Sequence, residues 1–252
     1  MSLEQATHCK YSRNGRMHGI ELPTANAYRR LRASFQECRH TADHARESAA
    51  RAPALADRRG LTIGVLGGSF NPAHGGHVHI SMHAIKNLAL DELWWMVSPC
   101  NPLKPLAANV PVHTRLERAA STVSHPRILV TDIEARFGTM YTVDTLRKLS
   151  MRRSGINVIW LMGSDCLVQM HLWKDWKRIF EAVPICVFSR PGELPRARNS
   201  VAARTFEASR MQQSEAARLG QMEPPAWVFA TIPLHAGSST EFRRVNGPLE
   251  HL

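Results

Sequence analysis

The chain has 252 residues, 44% hydrophobic and 21% charged, which suits one α/β domain of ordinary size with a tail, or two small domains, and excludes a wholly disordered or collagen-like chain. Its 32 Lys and Arg against 21 Asp and Glu leave a formal net charge of +11, which favours anionic partners such as nucleotides, nucleic acid or acidic lipid, while charge alone is explained as well by solubility. Five cysteines without a CxxC pair exclude a disulfide framework and a cysteine-rich zinc site and fit a reducing cytoplasm; no run of 18 apolar residues predicts a transmembrane helix, and no apolar N-terminal core predicts a secretory signal.

Residues 1–60 mix Arg, His, Ser and Ala without a sustained apolar period, so they are expected to form a basic, flexible extension with at most one short helix. At Leu61 the texture changes. LTIGVLGG reads as a buried strand, and HGGHVHISMHAIKNLAL as a helix with Val78, Ile80, Met82, Ile85 and Leu88 available for burial. ELWWMVSP is a second strand, HTRLERAASTVS a helix and RILVTDIE a third strand. TVDTLRKLSMRR is a helix opened by Thr142, INVIWLMGSD a fourth strand, WKDWKRIFEAV a helix and PICVFSRPG a fifth strand. Residues 192–225 interrupt the alternation with a polar stretch expected to be helical between Pro195 and Pro224. AWVFATIPL then resumes a strand, and GSSTEFRRV reads as a loop entering a short helix. Strand and helix in alternation predict an α/β, Rossmann-like, doubly wound parallel sheet with helices on both faces, spanning residues 61–252.

Ligands of such a sheet bind beyond the carboxyl ends of the strands. The first strand is followed by Gly67-Gly68-Ser69-Phe70-Asn71-Pro72-Ala73-His74-Gly75-Gly76-His77. The glycines allow backbone amides to approach an anion, and the helix beginning near Gly75 offers unpaired N–H groups and the positive end of its dipole. His74 and His77 lie one turn apart on one face. The segment is not a P-loop, since no Gly-Lys-Ser/Thr follows, and its spacing breaks the GxGxxG fingerprint. His79 and His83, four apart, have a metal pair's spacing but no nearby third ligand, so packing or surface roles are the plainer reading.

The GGSFNPAHGGH segment resembles the signature of nucleotidylyltransferases with an HxGH motif, most closely bacterial nicotinate-nucleotide adenylyltransferases. The resemblance covers roughly residues 61–244 and recurs in order through SPCNPLKP, EARFGTMYTVDTL, LMGSDCLVQMHLWKDW, SRPG and SSTEFR. It implies that ATP and nicotinate mononucleotide react to give nicotinate adenine dinucleotide and pyrophosphate, with Mg²⁺ carried by ATP and no covalent enzyme intermediate. It further implies that His74, His77 and Arg243 are catalytic. Gly68, Ser69 and Phe70 line the nucleotide cleft, and Ser239, Thr240 and Arg243 hold the β- and γ-phosphates. Lys104, Thr142, Asp165 and Trp173 contact the second substrate: a phosphate at the junction, the carboxylate at a helix start, a ribose hydroxyl and the pyridine ring respectively.

Plainer roles stand beside several of these. Lys104 between prolines serves equally as a solvated charge, Asp165 as a cap, and Arg244 can share the work of Arg243. Trp173 and Trp176, three apart, are expected on one helix face with one of them in the core. Asn71 stands where the family usually has aspartate, and Met140 precedes Tyr141-Thr142 where it usually has serine. Alternatives to the acid mononucleotide are nicotinamide mononucleotide and pantetheine phosphate, and a non-catalytic nucleic-acid-binding protein of the same fold is the alternative of a different class. No stable nucleic-acid partner and no membrane partner are expected, and homo-oligomerisation is left open.

Overall fold

The computed structural model describes residues 58–98, 110–151, 155–190 and 192–233, together with the backbone of Arg16–Met17 and Ile20–Glu21, which pair antiparallel. Seven strands among the described residues form one sheet. They are β1 (Thr62–Gly68), β2 (Glu92–Val97), β3 (Ile128–Thr131), β4 (Asn157–Gly163), β5 (Ile185–Phe188), β6 (Arg210–Met211) and β7 (Trp227–Ala230). Their spatial order is β3-β2-β1-β4-β5-β7-β6, and every neighbouring pair is parallel. The expected doubly wound sheet is therefore present.

The strands are apolar nearly throughout because both faces of the sheet are covered. Ile63 and Val65 of β1, Trp94 and Met96 of β2, and Val158, Trp160 and Met162 of β4 point into one core. Leu66, Leu93, Trp95, Val97, Ile159 and Leu161 point into the other. That alternation is the two-residue period of a strand. Helices α1 (Gly75–Asn87) and α2 (Val112–Thr122), with a 3₁₀ segment at Gln213–Gln221, cover the second face. The first face is covered by α4 (Thr142–Met151), α5 (Ser164–Gln169), α6 (Trp176–Ala182), α7 (Leu194–Arg198) and α8 (Val201–Thr205), with the short α3 (Ile133–Phe137) leading into α4.

Three expectations need correction. The third strand stops at Thr131; Asp132 to Glu134 instead enter α3, which ends at Gly138 in the left-handed region (φ 61°), a conformation that glycine adopts without a Cβ penalty. Trp173 and Trp176 do not share a helix face, because Trp173 is extended and Asp175 (φ 48°) turns the chain before α6 starts at Trp176. Neither indole is fully buried, and Trp176 packs edge-on against Phe180 and Phe206. Residues 192–225 are not one helical insert: they fold as short helical turns and also supply the edge strand β6. Two residues are too few for a periodic pattern, which is why the sequence conceals that strand.

The order of strands reverses between β1 and β4. Chain leaving β1 enters α1 on one face and chain leaving β4 enters α5 on the other, so a crevice opens above the carboxyl ends of these two strands.

Candidate active site

The crevice is flanked on one side by the turn after β1. Phe70 adopts φ 44°, an unfavourable backbone for a residue with a side chain, and is held there by burial of its ring, which stacks on Trp95 with centroids 5.0 Å apart. The turn delivers His74 to the N-cap of α1. His74 Nδ1 accepts a hydrogen bond from the Gly76 amide (3.1 Å), and His77 Nδ1 accepts one from the His74 amide (3.3 Å). The two histidines thus close a reciprocal capping box in which imidazoles replace the usual Ser/Thr and Glu side chains.

That geometry sets the chemistry of both rings. A nitrogen that accepts a hydrogen bond carries no proton, so the neutral imidazole must bear its proton on Nε2. Each ring is thereby assigned the Nδ1-acceptor, Nε2–H tautomer. The ring centroids stand 4.0 Å apart, and His77 also lies 4.7 Å from Phe70. His74 is buried and His77 is half-buried. Two Nε2–H donors side by side at a helix N-terminus suit phosphate oxygens. They do not suit a resident metal, which needs lone pairs, and among the described residues no group of three His, Cys, Asp or Glu is gathered to hold one.

The other side of the crevice is built from β4, β5 and α4. Asp165 lies in the first turn of α5, one residue beyond Ser164, rather than at the end of the strand. Its Oδ1 is 3.2 Å from Arg190 Nε, an ion pair. The Arg190 amide donates to Ser164 Oγ (2.9 Å), which ties the end of β5 to the end of β4. Thr142 is the first residue of α4, as expected from sequence. Trp173 and Lys174 precede α6, which packs on α4. Lys174 Nζ sits 4.2 Å above the Tyr141 ring and 4.0 Å from Asp144 Oδ2, so the tryptophan-bearing turn is fastened to the start of α4. Trp173 and Thr142 accordingly belong to one corner of the molecule.

Gly68, Ser69, Phe70, His74 and His77 are brought together in the turn after β1, Asp165 stands just beyond the carboxyl end of β4, and Thr142 and Trp173 stand where α4 and α6 meet. Lys104, Ser239, Thr240 and Arg243 lie outside the described residues. The chain that leads toward the last three leaves β7 along α1, where His79 Nε2 donates to the Pro233 carbonyl (2.6 Å). That bond and a ring contact with His83 (4.6 Å between centroids) give His79 a packing role. Burial, ahead of the neighbouring His79 and Lys86, lowers the His83 pKa.

Sequence reasoning passed over Arg115, Glu134 and Arg190. Arg115 is 4% exposed and occupies the inward stripe of α2 with Val112, Leu116 and Ala119, so an arginine interrupting an apolar helical period was the available signal. Glu134 is 2% exposed between Ile133 and Ala135. Its Oε1 is 3.4 Å from Thr145 Oγ1, which is itself 2.6 Å from Thr139 Oγ1. Burial pushes the Glu134 carboxyl up to about 7, against the opposing hydrogen bonds from Ser98 and Thr145.

Residues 65–245 match the family model described as cytidylyltransferase-like. A Cereibacter sphaeroides protein named "Probable nicotinate-nucleotide adenylyltransferase" is 48% identical over 183 residues, covering 73% of this chain and 96% of that protein. A Roseobacter denitrificans protein of the same name is 44% identical over 190 residues, covering 75% and 95%. Among solved structures, a Plasmodium falciparum nicotinic acid mononucleotide adenylyltransferase complexed with NaAD superposes with a TM-score of 0.53 at 18% identity, covering 73% of this chain and 83% of that one. The same enzyme complexed with APC gives a TM-score of 0.50 at 16% identity. These two likenesses establish a shared fold.

Proposed function

The chain belongs to the nicotinate-nucleotide adenylyltransferase family of cytidylyltransferase-like proteins, and on that premise we propose that it transfers AMP from ATP to nicotinate mononucleotide, producing nicotinate adenine dinucleotide and pyrophosphate in NAD synthesis. The observation that carries this reading is the paired Nε2–H histidine cap of α1 at the mouth of the β1/β4 crevice.

In the proposed reaction a phosphate oxygen of the mononucleotide attacks the α-phosphorus of ATP. One O–P bond forms while the bond from the α-phosphorus to the bridging oxygen breaks, and pyrophosphate leaves with that electron pair. The attacking oxygen is already anionic, so neither a protein nucleophile nor a general base is required. The protein's task is to hold two anions in line and to stabilise charge as it shifts to the leaving group. His74 and His77 are the proposed donors to the reacting phosphates. Gly68, Ser69 and Phe70 are proposed to line the nucleotide cleft, with Ser239, Thr240 and Arg243 on the β- and γ-phosphates. Lys104, Thr142, Asp165 and Trp173 are proposed to receive the mononucleotide, Trp173 by stacking and Thr142 through the start of α4. Mg²⁺ is proposed to arrive bound to the triphosphate and to add positive charge there.

Among the described residues no helix is long and apolar enough to cross a membrane; the proposed site of action is the cytoplasm. The deciding measurement is pyrophosphate release from ATP with nicotinate mononucleotide, nicotinamide mononucleotide and pantetheine phosphate in parallel. The acid mononucleotide is expected to have the highest kcat/KM. A higher value with either of the others, or no release with any, would overturn the proposal.

A further inference from the structure

Arg115 is a permanently charged group buried beneath the nucleotide turn. Its Nη1 donates to the carbonyls of Ser69 (2.7 Å) and Ser98 (2.8 Å), and its Nε donates to the carbonyl of Val110 (2.9 Å). Three separate stretches of main chain therefore converge on one guanidinium: the turn after β1, the end of β2 and the lead into α2. The Ser98 amide in turn donates to the Gly68 carbonyl (2.8 Å). The carbonyls of Gly68 and Ser69 are thus both pinned from the side of β2 and α2. In a planar trans peptide the amide N–H points opposite to the carbonyl of the same unit. Pinning these two carbonyls consequently fixes the directions of the Ser69 and Phe70 amides, in the segment that leads to His74.

We infer that Arg115 is a positioning residue that sets the nucleotide turn for the triphosphate by holding the carbonyls of Ser69 and Ser98. A lysine at this position would keep the charge but not the planar fork that serves several acceptors at once. The inference rests on the adenylyltransferase reading and adds to it a residue that touches neither substrate.

The test compares wild type, Arg115→Lys and, as a control, Arg127→Lys, whose arginine bonds the Leu90 carbonyl (3.1 Å) at the opposite ends of the strands. Readouts are KM for ATP, kcat, KM for the mononucleotide, the Kd of a non-hydrolysable ATP analogue by calorimetry, and Tm. Arg115→Lys is expected to raise the ATP KM and the analogue Kd roughly tenfold or more while leaving the mononucleotide KM within about twofold. Arg127→Lys is expected to leave all binding constants unchanged. A lower Tm with unchanged ATP constants in Arg115→Lys would mean a merely structural arginine and would overturn the inference while leaving the assigned activity intact. Should the lysine variant fail to fold, wild-type protein labelled with ¹⁵N-arginine decides: the Arg115 Nε–H signal is expected to be protected from solvent exchange and to shift on saturation with the analogue, and a signal that does not respond overturns the inference. Wild type that neither bound the analogue nor released pyrophosphate would overturn the assigned activity and this inference together.

Discussion

At the scale of single residues, the histidine cap and the proposed chemistry use different nitrogens. Nδ1 of each ring closes the helix start, while Nε2 carries the proton that the proposed reaction would offer to phosphate. The two roles separate by substitution. His77→Ala removes both: stability should fall by about 1 kcal/mol, as for other lost caps, and kcat by roughly 10² to 10³. His77→Asn retains a side-chain oxygen for the His74 amide, so thermal melting should recover toward wild type while kcat stays low. Recovery of kcat by asparagine would show that the ring's Nε2–H is not used. Glu134 yields a prediction in pH. Its folded value of about 7 exceeds the ordinary 4.5 because burial disfavours the charge. The folded state therefore binds this proton more tightly than the unfolded state. The resulting stabilisation is complete below about pH 4.5 and is lost as pH rises to about 7, an effect of roughly 3 kcal/mol. Urea unfolding at pH 5 and 7.5 should show the wild type losing most of that amount relative to Glu134→Gln, and parallel curves for the two proteins would refute it.

At the scale of elements, the corner proposed to receive the mononucleotide depends on how α4 and α6 meet. Trp173 is free of helix geometry because Asp175 turns the chain first, and Lys174 anchors that turn to Tyr141 and Asp144. Trp173→Ala should raise the KM for the mononucleotide about tenfold and change kcat little, the signature of lost ground-state stacking; an unchanged KM would remove the indole from the site. The junction of β4 with α5 makes a second demand. A Cβ at Gly163 would collide with Asp165 Oδ1 and stand 2.7 Å from Arg190 Nε. Gly163→Ala should displace this ion pair, which is only partly buried, so the fold should survive while kcat/KM falls by about tenfold or more. Steady-state kinetics beside a melting curve distinguish this from simple destabilisation.

At the scale of the whole molecule, the central strand β1 starts at Thr62, and among the described residues its entry is held by Arg58, which pairs with Glu92 (3.3 Å), and by Gly60, whose amide donates to the Gly155 carbonyl (2.7 Å). A chain lacking residues 1–55 should therefore fold and retain at least about half of the wild-type kcat, since no strand of the main sheet is removed; insolubility of that shortened chain would assign the extension a folding role. Much of the architecture was legible in the residues. Alternating apolar runs disclosed the larger strands, because a sheet covered on both faces must be apolar along its length, and the glycine-rich turn with its two histidines disclosed the helix start that follows β1. Local pattern could not disclose β6, which has two residues, or the break between Trp173 and Trp176, which a single left-handed Asp175 produces. Nor could it disclose what the buried charges do. An arginine in the apolar stripe of α2 is visible as an anomaly, but two of its three acceptors are backbone carbonyls 17 and 46 residues away, and main-chain carbonyls leave no mark on a sequence. The sequence by itself determined the order of elements and the chemical groups placed at their ends. Only the tertiary structure decided which of those ends share a crevice and which buried side chain holds them, because strand order and hydrogen bonds to distant main chain are settled by packing in three dimensions.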